Sequence, residues 1–119
     1  MKDLRRQLGD AGEDLAASAL KRQGYKILER NYLAPLGEID LIARQGKALV
    51  FIEVKTRRGE RFGAPQEAVS LNKQHKLRRL ADYYLKEKRL GAEVVVRFDV
   101  VGITVNEEGP QIEIIQNAF

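Results

Sequence analysis

Three residues of this 119-residue chain have types and spacing that could do chemistry: Asp40, Glu53 and Lys55. They lie in the runs Glu38 to Arg44 and Ala48 to Lys55, whose other members are mostly Ile, Leu, Val and Phe. Strand interiors exclude carboxylates unless something compensates the charge. Gly46 sits in a short polar turn between the runs, the pattern of a β-hairpin. Side chains alternate faces along a strand, so Leu49, Phe51, Glu53 and Lys55 share one face while Val50, Ile52 and Val54 take the other. A four-residue turn, Gln45 to Ala48, sets Asp40 opposite Glu53, with Cα atoms roughly 4.5–5.5 Å apart. A three-residue turn would set Asp40 against Ile52, on the wrong face unless a bulge corrects it, so the four-residue register, or a bulged equivalent, is the one expected. Two carboxylates that close repel each other unless a divalent cation sits between them, and an all-oxygen donor set suits Mg²⁺ or Mn²⁺. The plainer arrangement is an Asp40–Lys55 ion pair with Glu53 reaching solvent. Two acids and a lysine converging on one face favour the cation site.

Such a site suits phosphodiester hydrolysis, which needs an acidified water and positive charge against the phosphate. Lys55 beside the acids can orient that water or stabilise charge in the transition state. The loop Thr56 to Pro65 carries Arg57, Arg58 and Arg61, side chains suited to phosphate or simply to solvent. Further on, Lys73, Lys76, Arg78 and Arg79 crowd the first half of a helix, where the helix dipole disfavours positive charge, which points to an external anion.

The elements that must position these groups follow from periodicity. Residues 4–23 read as a helix with a stripe of Leu4, Leu8, Ala11, Leu15 and Ala19. Glu13 projects beside Gly9 and Gly12. Helical glycines each cost about 1 kcal/mol relative to alanine, so a close approach to another element is expected there. By itself Glu13 reads somewhat more readily as a boundary residue of an amphipathic helix. Gly24 ends the helix, and Tyr25 to Tyr32 forms a first strand. Tyr32 is expected to pack half-buried, the alternative being stacking on a base. After the hairpin, Gln66 to Val69 forms a helical turn, and Ser70 or Asn72 caps a helix running to about Arg89 with Leu77, Leu80, Ala81, Tyr84 and Leu85 inward. His75 reads as a surface residue. Strands Val94 to Val105 and Gln111 to Ile115 close the chain, and Arg97 and Asp99, on one face, are expected to pair.

Composition sets the outer limits. A chain of this length makes one domain, residues 1–119. It has no cysteine and one histidine, which excludes thiolate and multi-histidine metal sites, and its net charge of +4 favours polyanionic partners. No apolar run reaches membrane-spanning length and the first residues lack a signal-peptide core, so a cytoplasmic protein is expected.

The order αβββαββ is an α/β layer with a mixed central sheet flanked by helices. Joined to Glu13, Asp40 and Glu53-Val54-Lys55, it resembles the PD-(D/E)xK nuclease superfamily. More narrowly, Gly-Glu-Ile-Asp-Leu-Ile, Phe-Ile-Glu-Val-Lys-Thr-Arg, Arg-Phe-Gly-Ala-Pro-Gln-Glu-Ala-Val and Arg-Phe-Asp-Val-Val resemble the bacterial YraN-like family, itself similar to archaeal Holliday junction resolvases. The resemblance implies a restriction-endonuclease-like core. It also implies a metal-dependent endonuclease acting on DNA, branched or junction DNA included. In that scheme Asp40 and Glu53 are metal ligands, Lys55 lies near the attacking water, Glu13 is a further ligand or supporting acid, and Gln66 is a polar residue following the triplet. Two departures stand out: Ile39 precedes the Asp where proline is common, and Leu33 follows Asn-Tyr where arginine is expected. A nucleic-acid-binding or assembly protein that keeps the fold without catalysis is the rival reading. DNA against RNA, and monomer against homodimer, stay open.

Overall fold

The computed structural model describes residues 4–59 and 64–119, and side chains from residue 11 onward within the first helix. The elements are α1 (Leu4–Arg22), β1 (Lys26–Ala34), β2 (Gly37–Gln45), β3 (Ala48–Arg58), a 3₁₀ turn (Pro65–Ala68), α2 (Leu71–Glu87), β4 (Val95–Asn106) and β5 (Gly109–Ile115). The expected order αβββαββ is the one found. Five strands form one mixed sheet in chain order β1-β2-β3-β4-β5, antiparallel throughout except for β3 with β4. The parallel pair is joined through α2, because parallel neighbours cannot be linked by a tight turn. Among the described residues no helix is long and apolar enough to cross a membrane.

Each helix end has a local cause. α1 stops at Gly24, whose φ of +86° is left-handed, and Tyr25 N–H returns to the Leu20 carbonyl at 3.0 Å in the bond that closes a Schellman turn. At the start of α2 the Ser70 hydroxyl accepts the Lys73 N–H at 3.2 Å, so Ser70 and not Asn72 is the cap. β5 begins earlier than expected, because Asn106 Oδ1 accepts Glu108 N–H at 3.0 Å and folds a two-residue turn that lets Asn106 pair with Gly109.

The sheet buries both faces. Toward α2 lie Tyr32, Ile42, Leu49, Phe51, Leu77, Leu80, Tyr84 and Phe98; toward α1 lie Ala16, Leu20, Tyr25, Leu41, Val50, Ile52, Val101 and Ile103. Burial on both sides explains why β3 reads as a nearly continuous apolar run. Phe51 sits at the centre, 5.6 Å from the Tyr84 ring and 5.8 Å from Phe98, and its truncation to alanine would cost about 3–5 kcal/mol. Tyr32 packs edge-on against Tyr84 and donates its hydroxyl to Glu87 at 3.0 Å, so it belongs to the core.

On the α1 face the expected Arg97–Asp99 pair forms, with Nε to Oδ1 and Nη2 to Oδ2 both at 2.9 Å. The fully buried Asp99 also accepts the Tyr25 hydroxyl at 2.6 Å and the Asn117 N–H at 2.9 Å. Gln116 donates to Tyr25 Oη and to Gln45, each at 3.1 Å, so this network ties the end of the chain to the β2–β3 turn.

Candidate metal centre

Gln45 pairs with Ala48 and the β2–β3 ladder runs to Leu41 opposite Ile52, the register expected from a four-residue turn. One step further along that register would come Asp40 and Glu53, which are coupled by charge. There the backbone ladder stops, and Asp40 Oδ2 accepts the Val54 N–H at 2.8 Å in place of a main-chain carbonyl. Glu53 shares the α2 face with Leu49 and Phe51 and is only 6% exposed. Lys55 Nζ lies 3.7 Å from Glu53 Oε1, and Lys73 Nζ reaches the same oxygen from α2 at 3.8 Å. Lys55 therefore pairs with Glu53 and not with Asp40. The other oxygen, Oε2, is buried without a hydrogen-bond partner among the described residues. Burial, followed by the negative charge of Asp40, pushes the Glu53 carboxyl up to about 7, with the two lysines pulling the other way.

The layer above contributes a second acid. Gly12 is buried under Thr56 of β3, and a Cβ at Gly12 would overlap the Thr56 hydroxyl, so the absent side chain lets α1 settle onto the strand and brings Glu13 to the sheet end. This is the close approach that the helical glycines foreshadow. Carboxylate oxygens of Glu13, Glu38 and Asp40 lie within 4.8 Å of one another. Burial raises the pKa of both Glu13 and Asp40 above the usual carboxylate range; the Asp40 charge adds to the rise at Glu13, while the Val54 N–H and then Lys73 oppose it at Asp40. Sequence reasoning missed Glu38. The available signal was its place in the sequence, two residues before Asp40. Glu53 lies outside that trio of carboxylates, on the other side of Asp40 and coupled to it by charge.

The donors are all carboxylate oxygens, and one buried oxygen waits without a partner. Both features fit a hard divalent cation of the Mg²⁺ or Mn²⁺ kind. The four acids are otherwise offset by Lys55 and Lys73 near Glu53, by the Val54 N–H at Asp40, and by Asn31 and Arg30 near Glu13.

The remaining candidate residues spread over three places. Lys76 lies over Gly37, at the β1–β2 turn beside Glu38, and Lys76 and Arg79 are exposed on α2. Arg78 points elsewhere, its guanidinium 4.9 Å from the Phe98 ring centre and 5.6 Å from that of Phe119. Arg57 and Arg58 end β3, and Arg61 lies outside the described residues. Gln66 sits in the 3₁₀ turn, where Pro65 packs on Gly102, the ladder partner of Lys55. Its Oε1 is buried with no partner among the described residues.

The comparison with known proteins agrees with the sequence motifs. A relative from Moorella thermoacetica, named "UPF0102 protein", is 50% identical over 117 residues, covering 97% of each chain. One from Symbiobacterium thermophilum, "UPF0102 protein STH1475", is 52% identical over 116 residues and covers 96% of this chain and 97% of its own. One from Caldicellulosiruptor saccharolyticus is 44% identical and covers 97% and 98%. A solved structure of SfsA from Pyrococcus furiosus, in complex with Ca²⁺, matches 94% of this chain and 62% of its own length, with 16% identity and a TM-score of 0.40. The family described as "Uncharacterised protein family UPF0102" matches residues 12–103, which include Glu13, Asp40, Glu53 and Lys55, and with relatives at this level of identity the chain belongs to that family.

Proposed function

We propose that this protein is a metal-dependent nuclease that hydrolyses phosphodiester bonds in DNA, branched or junction DNA being one candidate substrate. The observation that carries the reading is the buried Glu53 carboxylate, one oxygen of it unpartnered, next to an Asp40 that lies within 4.8 Å of two more acids. A protein has little reason to gather like charges where burial already penalises them, unless a cation is meant to bind. Asp40 and Glu53 would hold it, with Glu13 and Glu38 completing the oxygen set. A divalent cation there would supply positive charge against the scissile phosphate and make a water more acidic.

The chain's own residues do the rest. The Val54 N–H fixes one oxygen of Asp40. Lys55, on the same strand face as Glu53, is placed to stabilise charge that develops on the phosphate, where a preorganised ammonium costs no reorganisation. Lys76, Arg79 and the arginines after β3 would contact the backbone on either side without reading base edges. Gln66 would add a polar contact at the level of Lys55.

A non-catalytic DNA-binding module is the second reading, favoured by the two lysines that already offset Glu53. A cleavage panel over linear, flapped, single-stranded and four-way-junction DNA, with Mg²⁺ or Mn²⁺, separates the two. Metal-dependent cleavage that disappears in Asp40→Ala is the expected result. DNA binding that ignores both the metal and Asp40→Ala, with no cleavage of any substrate, overturns the enzyme in favour of the module.

A further inference from the structure

Lys73 stands apart from the other cations of α2. It is in the first turn of the helix, its backbone N–H held by the Ser70 cap, and its ammonium crosses from the helix layer to Glu53 Oε1 at 3.8 Å. Lys55 reaches the same oxygen at 3.7 Å from the strand itself. The Lys73 charge lowers the pKa of both buried acids, and at Asp40 it acts more strongly than that of Lys55. Its side chain remains about a third exposed, so it can leave without unpacking the core. Glu53 itself is nearly closed off from water.

We infer that Lys73 is a resident counter-ion: it holds the acid cluster from α2 while no divalent cation is bound, and the cation and the Lys73–Glu53 contact exclude one another. The inference rests on the reading of the cluster as a cation site. Its logic is that of charge. Glu53 beside Asp40 needs a positive neighbour to stay ionised in a buried setting, and two ammonium groups supply it. A divalent ion at the same carboxylates makes the nearby ammonium a like charge, which is then repelled toward solvent. Lys73 is thereby released on the side where a phosphate would approach, so one residue stabilises the empty site and becomes available to substrate only when the site is loaded. This makes it a positioning residue for the acids and not a ligand.

The test is a calorimetric titration with Mn²⁺ of the wild type, Lys73→Met and Lys73→Arg. With the competing charge removed, Lys73→Met should bind Mn²⁺ about tenfold more tightly, whereas Lys73→Arg, which keeps the charge, should match the wild type. An affinity that is unchanged or weaker in Lys73→Met overturns the exchange. A second measurement needs no destabilised variant: nitrogen-15 NMR of the lysine ammonium groups in the wild type, with Lys73 assigned by its disappearance in Lys73→Arg, titrated with Mg²⁺. The Lys73 signal should move to the position of a solvated lysine at saturation, and a signal that stays in place overturns the inference. A wild type that takes up no Mn²⁺ fails at the earlier step and removes the cation site itself, an outcome distinct from normal uptake with an immobile Lys73.

Discussion

Asp99 and Glu53 are the two buried acids of the sheet, and their surroundings differ in kind. Asp99 has both oxygens satisfied, by the Arg97 fork, the Tyr25 hydroxyl and the Asn117 N–H. Glu53 has two ammonium groups near one oxygen and nothing on the other among the described residues. A buried charge that is fully hydrogen-bonded holds parts of a fold in place; one that is incompletely compensated costs stability and is kept for what it can bind. Burial alone does not distinguish the two; the count of partners on each oxygen does.

The largest effect should come from breaking the satisfied cluster. Asp99→Ala removes the carboxylate that pairs with Arg97 and accepts the Tyr25 hydroxyl, and should cost about 3–5 kcal/mol in chemical denaturation, with Mn²⁺ affinity unchanged in the fraction that folds. A loss below about 1 kcal/mol would erase the distinction between the clusters.

Glu53 should behave in the opposite way. Its folded-state pKa of about 7 lies above the ordinary glutamate value, so its contribution to stability is intact below the unfolded pKa and is lost as the pH rises through about 7. In chelator, Glu53→Gln should be more stable than the wild type at pH 8, by up to about 3 kcal/mol, with the advantage gone by pH 4. Thermal midpoints across that range check it. A Glu53→Gln protein less stable than wild type at pH 8 would place Glu53 with Asp99 as a structural acid.

Lys55 sharpens the comparison from the side of chemistry. Lys55→Ala should leave DNA affinity near wild type while single-turnover cleavage at saturating Mn²⁺ falls on the order of a hundredfold, the scale of losing one positioned charged group. A variant that loses fold stability or metal affinity instead would make Lys55 a structural partner of Glu53.

The smallest effect separates the arginines and lysines of α2. Lys76→Ala or Arg79→Ala should flatten the salt dependence of DNA binding by roughly one unit per phosphate contact, whereas Arg78→Ala, which lifts a guanidinium from the Phe98 and Phe119 rings, should leave the slope as it is.

Much of this arrangement was legible in the sequence where local rules decide. The length of the Gln45–Ala48 turn set the β2–β3 register as far as Leu41 and Ile52; strand parity paired Arg97 with Asp99; glycine in a helix announced the approach of α1 to Thr56. What stayed hidden depends on packing between distant elements. Nothing in the alternation of β4 says that Tyr25, at the far end of α1, completes the Asp99 network, nor that Lys73 of α2 turns inward to Glu53 while Arg78, five residues on, turns to an aromatic pair. Glu38 went unread because a carboxylate near a turn is ordinary until a helix sets Glu13 above it.

The parallel β3–β4 ladder also orders events in time. The β2–β3 hairpin closes locally, so the opposition of Asp40 and Glu53 costs little chain entropy and can form early. The β3–β4 pairing has to wait for the whole α2 crossover, and such non-local contacts are slow to form. Lys73 arrives with that crossover. The contact between Lys73 and Glu53 is therefore a non-local one, from position 53 to position 73 of the chain, whereas the hairpin that carries Asp40 and Glu53 is closed by its own short turn.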